Sequence, residues 1–315
     1  MNKPTSVPLA RVLSEPPLPL ARRMSQRFNW LFCLLWICVG STLYAQTPDA
    51  AGMQRLYQNL RPRLAQSPMR EGLILDSSES SKRTSGDIYA VLNVPLLRLE
   101  QVNRDPVRWC EILLLLSNSK NCTVGTVSAD DSAPLLMLQI GTKNPQNLAS
   151  TTPIDFNFLS SKPQAPVLET RLTSGTGPMG TKDDTLRINA IALNADQSFI
   201  HLHYSSRSSM AGRFATALYL QTLGRGKVGF SVAPESTGLV GGVRGIIERN
   251  AMRYFLGLGC ALQFVAVEVP VQRFDQMAAC WYDATELYPI QLYEMTRQDY
   301  LDMKRIEFLR TAPKR

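Results

Sequence analysis

Histidine is nearly absent from this chain of 315 residues, which has two, and its six cysteines form no Cys-x-x-Cys pair. That spacing excludes a thioredoxin-like redox motif and a zinc ribbon. No Gly-x-Ser-x-Gly elbow occurs, which argues against an α/β-hydrolase nucleophile. No basic block stands out, and only 19% of residues are charged. The net charge is +8, but the first 45 residues hold Lys3, Arg11, Arg22, Arg23 and Arg27 against Glu15, so the rest carries +4. Over 270 residues that balance gives nucleic-acid binding no support. There is no internal repeat. At 44% hydrophobic the chain has enough apolar residues for a globular core.

The apolar run from Phe28 to Gly40 (FNWLFCLLWICVG) is thirteen residues long, short of the roughly 20 that cross a bilayer. Arg22, Arg23 and Arg27 precede it, and Leu43-Tyr44-Ala45 ends the small-residue stretch before the chain turns polar at Gln46. A positive segment, a short apolar core and a small residue at the cut describe a secretory signal over residues 1–45. Cleavage after Ala45 leaves a periplasmic or secreted protein. An uncleaved inner-membrane anchor through residues 28–45 is the alternative. Residues 1–23 are Pro-rich, and Met24 is a second candidate start.

Loss of that leader leaves Cys110, Cys122, Cys260 and Cys280, an even number in an oxidising compartment. Three pairings are open, and locality favours Cys110–Cys122 with Cys260–Cys280. They read as staples, not as a catalytic site.

Met53, Leu56, Tyr57, Leu60 and Leu64 recur at helical spacing, with Pro62 expected to interrupt the helix. Ser77–Ser85 (SSESSKRTS) reads as an exposed loop, closing an N-terminal segment of residues 46–85. Gly86–Leu92 is strand-like. Pro95 and Pro106 open two short helices. From Cys122 to Ser206 the period becomes two, with strands at 122–127, 135–140, 154–158, 167–172, 185–191 and 199–204. Ala211–Leu223 is helical in composition, Lys227–Val232 reads as a last strand, and Gly241–Phe264 as a long helix with a polar flank. Pro270 starts another helix, and Thr296-x-x-Asp299 caps a final charged one. The fold class is α+β, an antiparallel meander covered by late helices.

One strand, two helices, a meander and a long helix resemble in order the helix-grip, START-like superfamily, which includes polyketide cyclase- and lipid-transfer-like proteins. The resemblance covers residues 86–264, leaving 265–315 as a helical extension packed on the domain. Trp109-Cys110-Glu111-Ile112-Leu113, Gly224-x-Gly226-Lys227-Val228-Gly229-Phe230 and Gly241-Gly-Val-Arg-Gly-Ile-Ile-Glu-Arg-Asn250 with Met252-Arg253-Tyr254 are similar to runs in a family of exported proteobacterial proteins that carries no catalytic assignment. The superfamily implies a sheet wrapped round the long helix, an apolar cavity between them and binding of a lipid or other apolar ligand. In some branches it implies cyclase or hydrolase chemistry.

His201 and His203 stand two apart on one face of a strand, where two imidazoles could share a metal. No third ligand is identifiable nearby, so no metal is assigned and the pair reads as a solvent-facing or pocket-wall pair. Arg244 and Glu248 are four apart and suit a surface ion pair. Turned inward, Arg244 or Arg253 would meet an anionic head group. Gly175–Gly180 and Gly224–Lys227 precede strands, not helices, so neither cradles a phosphate. Tyr254 and the other late aromatics belong to the core, a minority lining a pocket. The leading expectation is a periplasmic carrier of an apolar or amphipathic small molecule, without cofactor, using Arg244, Glu248, Arg253, His201, His203 and Tyr254. Contact with a membrane surface is a further partner class. The alternatives are an enzyme in which His201, His203, Glu248 and Arg244 meet in one pocket, and an envelope scaffold binding a protein through residues 270–310.

Overall fold

The computed structural model describes residues 49–69, 72–126, 133–177, 180–208, 226–233 and 238–311. The leader expected at 1–45 and the helix expected at 211–223 lie outside them. Eight strands run β1 (Ile74–Glu79), β2 (Arg83–Leu92), β3 (Ser119–Thr126), β4 (Pro134–Ile140), β5 (Thr152–Ser160), β6 (Leu168–Thr176), β7 (Thr181–Ala192) and β8 (Ser198–Ser208). They form one antiparallel sheet in the order β1-β2-β8-β7-β6-β5-β4-β3. The helices are α1 (Ala50–Ala65), α2 (Leu96–Asn103), α3 (Pro106–Leu114), α4 (Gly242–Gln263), α5 (Pro270–Thr285), α6 (Pro289–Leu292) and α7 (Arg297–Thr311). No described helix is long and apolar enough to cross a membrane.

The meander returns β8 to β2, pairing residues more than a hundred positions apart, such as Gly86 with Tyr204. Alternation sends Leu172, Leu186, Ile188, Ile200, Leu202 and Tyr204 to one face, where they are buried in the main core. Helix α4 crosses that face. It packs on β1, β2 and β8, while one cavity is lined by residues of α4, β4 and β5 together, so the sheet bends round the helix. This is the helix-grip, START-like architecture that the element order implied. Gly86 permits the crossing, because a Cβ there would stand 2.9 Å from Ile247 Cγ2. A short outer layer covers part of the other face, where Met53, Leu56, Tyr57 and Leu60 of α1 pack on Ile191, Phe199 and Val91.

The disulfides are Cys110–Cys122, tying α3 to β3, and Cys260–Cys280, tying α4 to α5. Closing loops of 12 and 20 residues stabilises by about 3 kcal/mol each in the chain-entropy picture. Thr296 caps α7 as expected, its Oγ1 accepting from Asp299 N and donating to Asp299 Oδ2.

Three expectations fail here. Helix α1 continues through Pro62. The ring removes one donor three residues before the C-terminus, where the remaining helix is too short to be broken off. Residues 77–85 are not one long loop: they form the turn end of the β1–β2 hairpin, with the strands joined by a short turn at Ser80–Lys82. Their hydroxyls pair across strands, as Ser78 Oγ does with Ser85 Oγ at 3.0 Å, so polarity marked a wet edge rather than a turn. Among the described residues, Lys227–Val232 adds no strand to the sheet and pairs locally with 238–240, through the Val232–Leu239 bridge and the hydrogen bonds Gly229 N to Val240 O at 2.6 Å and Val240 N to Ser231 O at 2.9 Å. The Phe230 and Ser231 amides go to α4.

Candidate functional site

The charged face of α4 is buried, and it is spent on structure. Glu248 is 0% exposed. Its Oε2 accepts from Phe230 N at 2.6 Å and Ser231 N at 2.9 Å, and its Oε1 accepts from Ser77 Oγ at 2.5 Å and from Ser231 Oγ. Gly229 makes the approach feasible, since a Cβ there would collide with the Glu248 carboxylate. Arg244 does not pair with Glu248. It donates from Nε to Ser77 Oγ at 3.1 Å and from Nη2 to Ser77 O at 3.1 Å. The two side chains thus clamp residues 230–231 to β1 through Ser77. Arg253 donates to Glu294 Oε1 at 2.6 Å and to Asn250 Oδ1 at 3.2 Å. Glu294, although buried, is held down at about 2 because Arg253 and Lys143 outweigh its desolvation.

His201 and His203 are also elsewhere. Alternation points Leu202 and Tyr204 inward and both histidines outward, onto the face opposite α4. The four side chains of the enzymatic reading therefore never share a pocket: the sheet lies between the histidines and α4. The register that separates them follows from the period of two.

Of the residues the sequence singled out, Tyr254 alone lines the interior cavity. Around it stand the apolar Leu113, Leu116, Leu138, Ile140, Ile154 and Phe156 and the polar Asp184, Tyr204, Asn250, Asn118 and Ser119. The Tyr204 and Tyr254 rings meet edge to face with centroids 5.3 Å apart. Asn250 hydrogen-bonds the Tyr204 side chain, and Arg253 holds Asn250 from behind. Asp184 is 1% exposed. Its Oδ2 accepts from Thr181 Oγ1 at 3.3 Å, while Oδ1 is buried with no partner, as is Ser119 Oγ. Burial pushes the Asp184 carboxyl up to about 7, with Asp183 adding to the rise and Thr181 and Arg83 opposing it. Burial and the Asp184 charge likewise hold both tyrosines well above the ordinary phenol range.

The cavity is about 50 Å³, room for one or two waters at about 30 Å³ each. Sites for drug-sized ligands run to roughly 300–1,000 Å³, so a larger guest requires its walls to part. An open groove of about 390 Å³ between α2 and Pro163–Gln164 lies outside the grip and is lined chiefly by polar side chains such as Glu100, Gln101 and Arg104.

Sequence reasoning missed Asp184 and Tyr204. Tyr204 was legible, since it alternates with the two histidines. Asp184 continues the inward alternation of Leu186 and Ile188 and sits opposite Ser174 on β6, but it lies one position ahead of the strand read at 185–191 and so went unseen.

No family model and no curated protein matches the sequence. Solved structures do. Human StAR-related lipid transfer protein 5 overlaps at 8% identity and a TM-score of 0.33, over 68% of this chain and 97% of that one. The Zhui aromatase/cyclase from Streptomyces sp. R1128 overlaps at 12% and 0.32, over 59% and 98%. Norcoclaurine synthase from Thalictrum flavum overlaps at 10% and 0.33, over 60% and 89%. The fold assignment rests on the strand order and helix placement of this chain, and residue roles rest on its own geometry.

Proposed function

We propose that the chain is an exported binding protein that holds an apolar or amphipathic small molecule, lipid included, between the sheet and α4. One observation carries the reading: the grip encloses a cavity lined by both apolar and polar side chains, and among the latter Asp184 Oδ1 lacks a partner. Buried polar groups are ordinarily hydrogen-bonded, so a guest that donates a hydrogen bond to Asp184 and lays its apolar part against Leu138, Ile154 and Phe156 satisfies both kinds of wall. The leader at residues 1–45 supports export to the periplasm. The test is native mass spectrometry of the exported form, followed by solvent extraction and uptake of phenol, indole and aliphatic alcohols. A bound compound or probe that Ile154→Trp excludes is the expected result. No uptake by the wild type, or uptake unchanged in a folded Ile154→Trp variant, overturns it.

A second reading is favoured by Asp184 alone. A carboxyl held near 7 beside two phenols suits general acid–base work on the bound molecule. It predicts that Asp184→Asn retains binding and abolishes conversion of the extracted compound.

A further inference from the structure

The outer face of the sheet gathers three side chains that the cavity does not use. His201 and His203 share that face of β8, and the β2–β8 register sets Asp87 opposite His203 and Tyr89 opposite His201. Asp87 Oδ1 lies 2.8 Å from His201 Nε2 and 2.8 Å from His203 Nδ1. One ligand atom from each of the three lies within 4.8 Å of the others. The third ligand missing from the sequence is thus supplied by the neighbouring strand.

We propose that Asp87, His201 and His203 form a binding site for a divalent transition metal of the zinc class, with a coordination position left open. Two imidazoles and a carboxylate are the donors that such ions take from proteins. Zinc bonds of about 2.0–2.1 Å in a tetrahedron separate ligand atoms by about 3.3 Å, so each Asp–His distance opens by only about half an ångström. The three side chains are partly buried, with 21%, 12% and 23% of Asp87, His201 and His203 exposed, which leaves water access to the open position.

The surroundings hold the donors in place. Tyr89 stacks on His201 with centroids 4.5 Å apart and planes 17° apart. Asn189, the cross-strand neighbour of His201 on β7, is 0% exposed, and neither of its amide atoms has a hydrogen-bond partner. A buried amide in need of a partner beside a ligating imidazole is the type of group that orients a metal ligand. Arg187, cross-strand from His203, opposes a cation, so affinity rests on the three ligands and not on the general field of the face.

The experiment uses the full chain with its disulfides formed and without an affinity tag. Zinc and cobalt(II) are titrated by calorimetry and visible absorption, and the imidazole nitrogens are followed by NMR. One ion per chain is expected, with the resonances of both histidines, the two in the whole chain, displaced together. His203→Gln and Asp87→Asn are expected to weaken zinc more than about 100-fold, beyond the range for loss of a supporting group. Should either variant fail to fold, the wild-type imidazole resonances decide. Absence of stoichiometric binding of both ions, or zinc binding that leaves both imidazole signals in place, overturns the site.

Discussion

Asp87 and Asp184 occupy opposite faces of one sheet, and their environments drive them in opposite directions. Asp87, on the outer face, is partly buried, which alone would raise its pKa. Hydrogen bonds from His201 and His203 reverse that, and its carboxyl lies well below the usual carboxylate range. Asp184, on the inner face, has one long hydrogen bond from Thr181 and an oxygen with none, and it is pushed up to about 7. Burial supplies the cost in both places, and the partners decide the sign. A carboxylate whose needs are met stabilises the fold; one whose needs are unmet marks a place where a ligand can do what the protein does not.

The buried cluster under α7 sets the upper limit of that comparison. Lys120 Nζ donates to Glu307 Oε1 at 2.9 Å and Lys304 Nζ to Glu307 Oε2 at 2.7 Å, with both lysines 0% exposed. Backbone carbonyls of Leu116, Ser117 and Ser119 accept further hydrogen bonds from the two ammoniums. Burial lowers Lys304 to about 8, and Glu307 holds it from falling further. Glu307→Gln leaves two buried ammoniums without a counter-charge and is expected to cost about 3–5 kcal/mol, read from the urea midpoint. A loss under 1 kcal/mol would mean that the carbonyls alone carry both charges.

Asp184→Asn is the next largest effect and has the opposite sign. An Asp raised from about 3.9 in the unfolded chain to about 7 in the folded one keeps its proton in the native state after the unfolded state has lost it. Stability therefore falls as pH rises from about 4 to about 7 and stays low above. The neutral amide removes that slope. Asp184→Asn is expected to melt higher than the wild type at pH 8, by about 2–4 kcal/mol, and to match it near pH 4. Thermal unfolding across that range checks it, and a variant less stable at pH 8 would show that the native site stabilises the Asp184 carboxylate instead of opposing it.

What was legible in the sequence was whatever a single period or a single spacing carries. The meander was readable because Ile154, Phe156 and Phe158, or Ile200, Leu202 and Tyr204, repeat at two, and the disulfides because each pair is local. The outward turn of His201 and His203 follows from the same alternation once Leu202 is seen as core. Asp87 was hidden because it joins the histidines only through the β2–β8 register, across more than a hundred residues. Glu248 was misread because a polar stripe on a helix usually meets water. Here it meets the Phe230 and Ser231 amides, which no helical periodicity reports. Asp184 follows the same alternation as Leu186 and Ile188, but the strand was read from Thr185 onward, and an acid beside a second acid carries no core signal.

Asp87→Asn, measured with chelator present, gives the smallest effect and tests the outer-face half of the comparison. Its native carboxyl is depressed, so its contribution to stability is fully present above the unfolded value of about 3.9 and is lost as pH falls below it. The group is about a fifth exposed, and solvent screening reduces what its shift is worth. At pH 7 the amide keeps one acceptor for a histidine N–H and gives up the charge, so a loss of about 1–2 kcal/mol is expected. The difference from the wild type is expected to shrink as pH falls below about 4 toward the depressed folded value. If it instead persists unchanged from pH 7 to pH 2, the loss comes from packing against Tyr89 and His201, and the charge of Asp87 plays no part in holding the two histidines together.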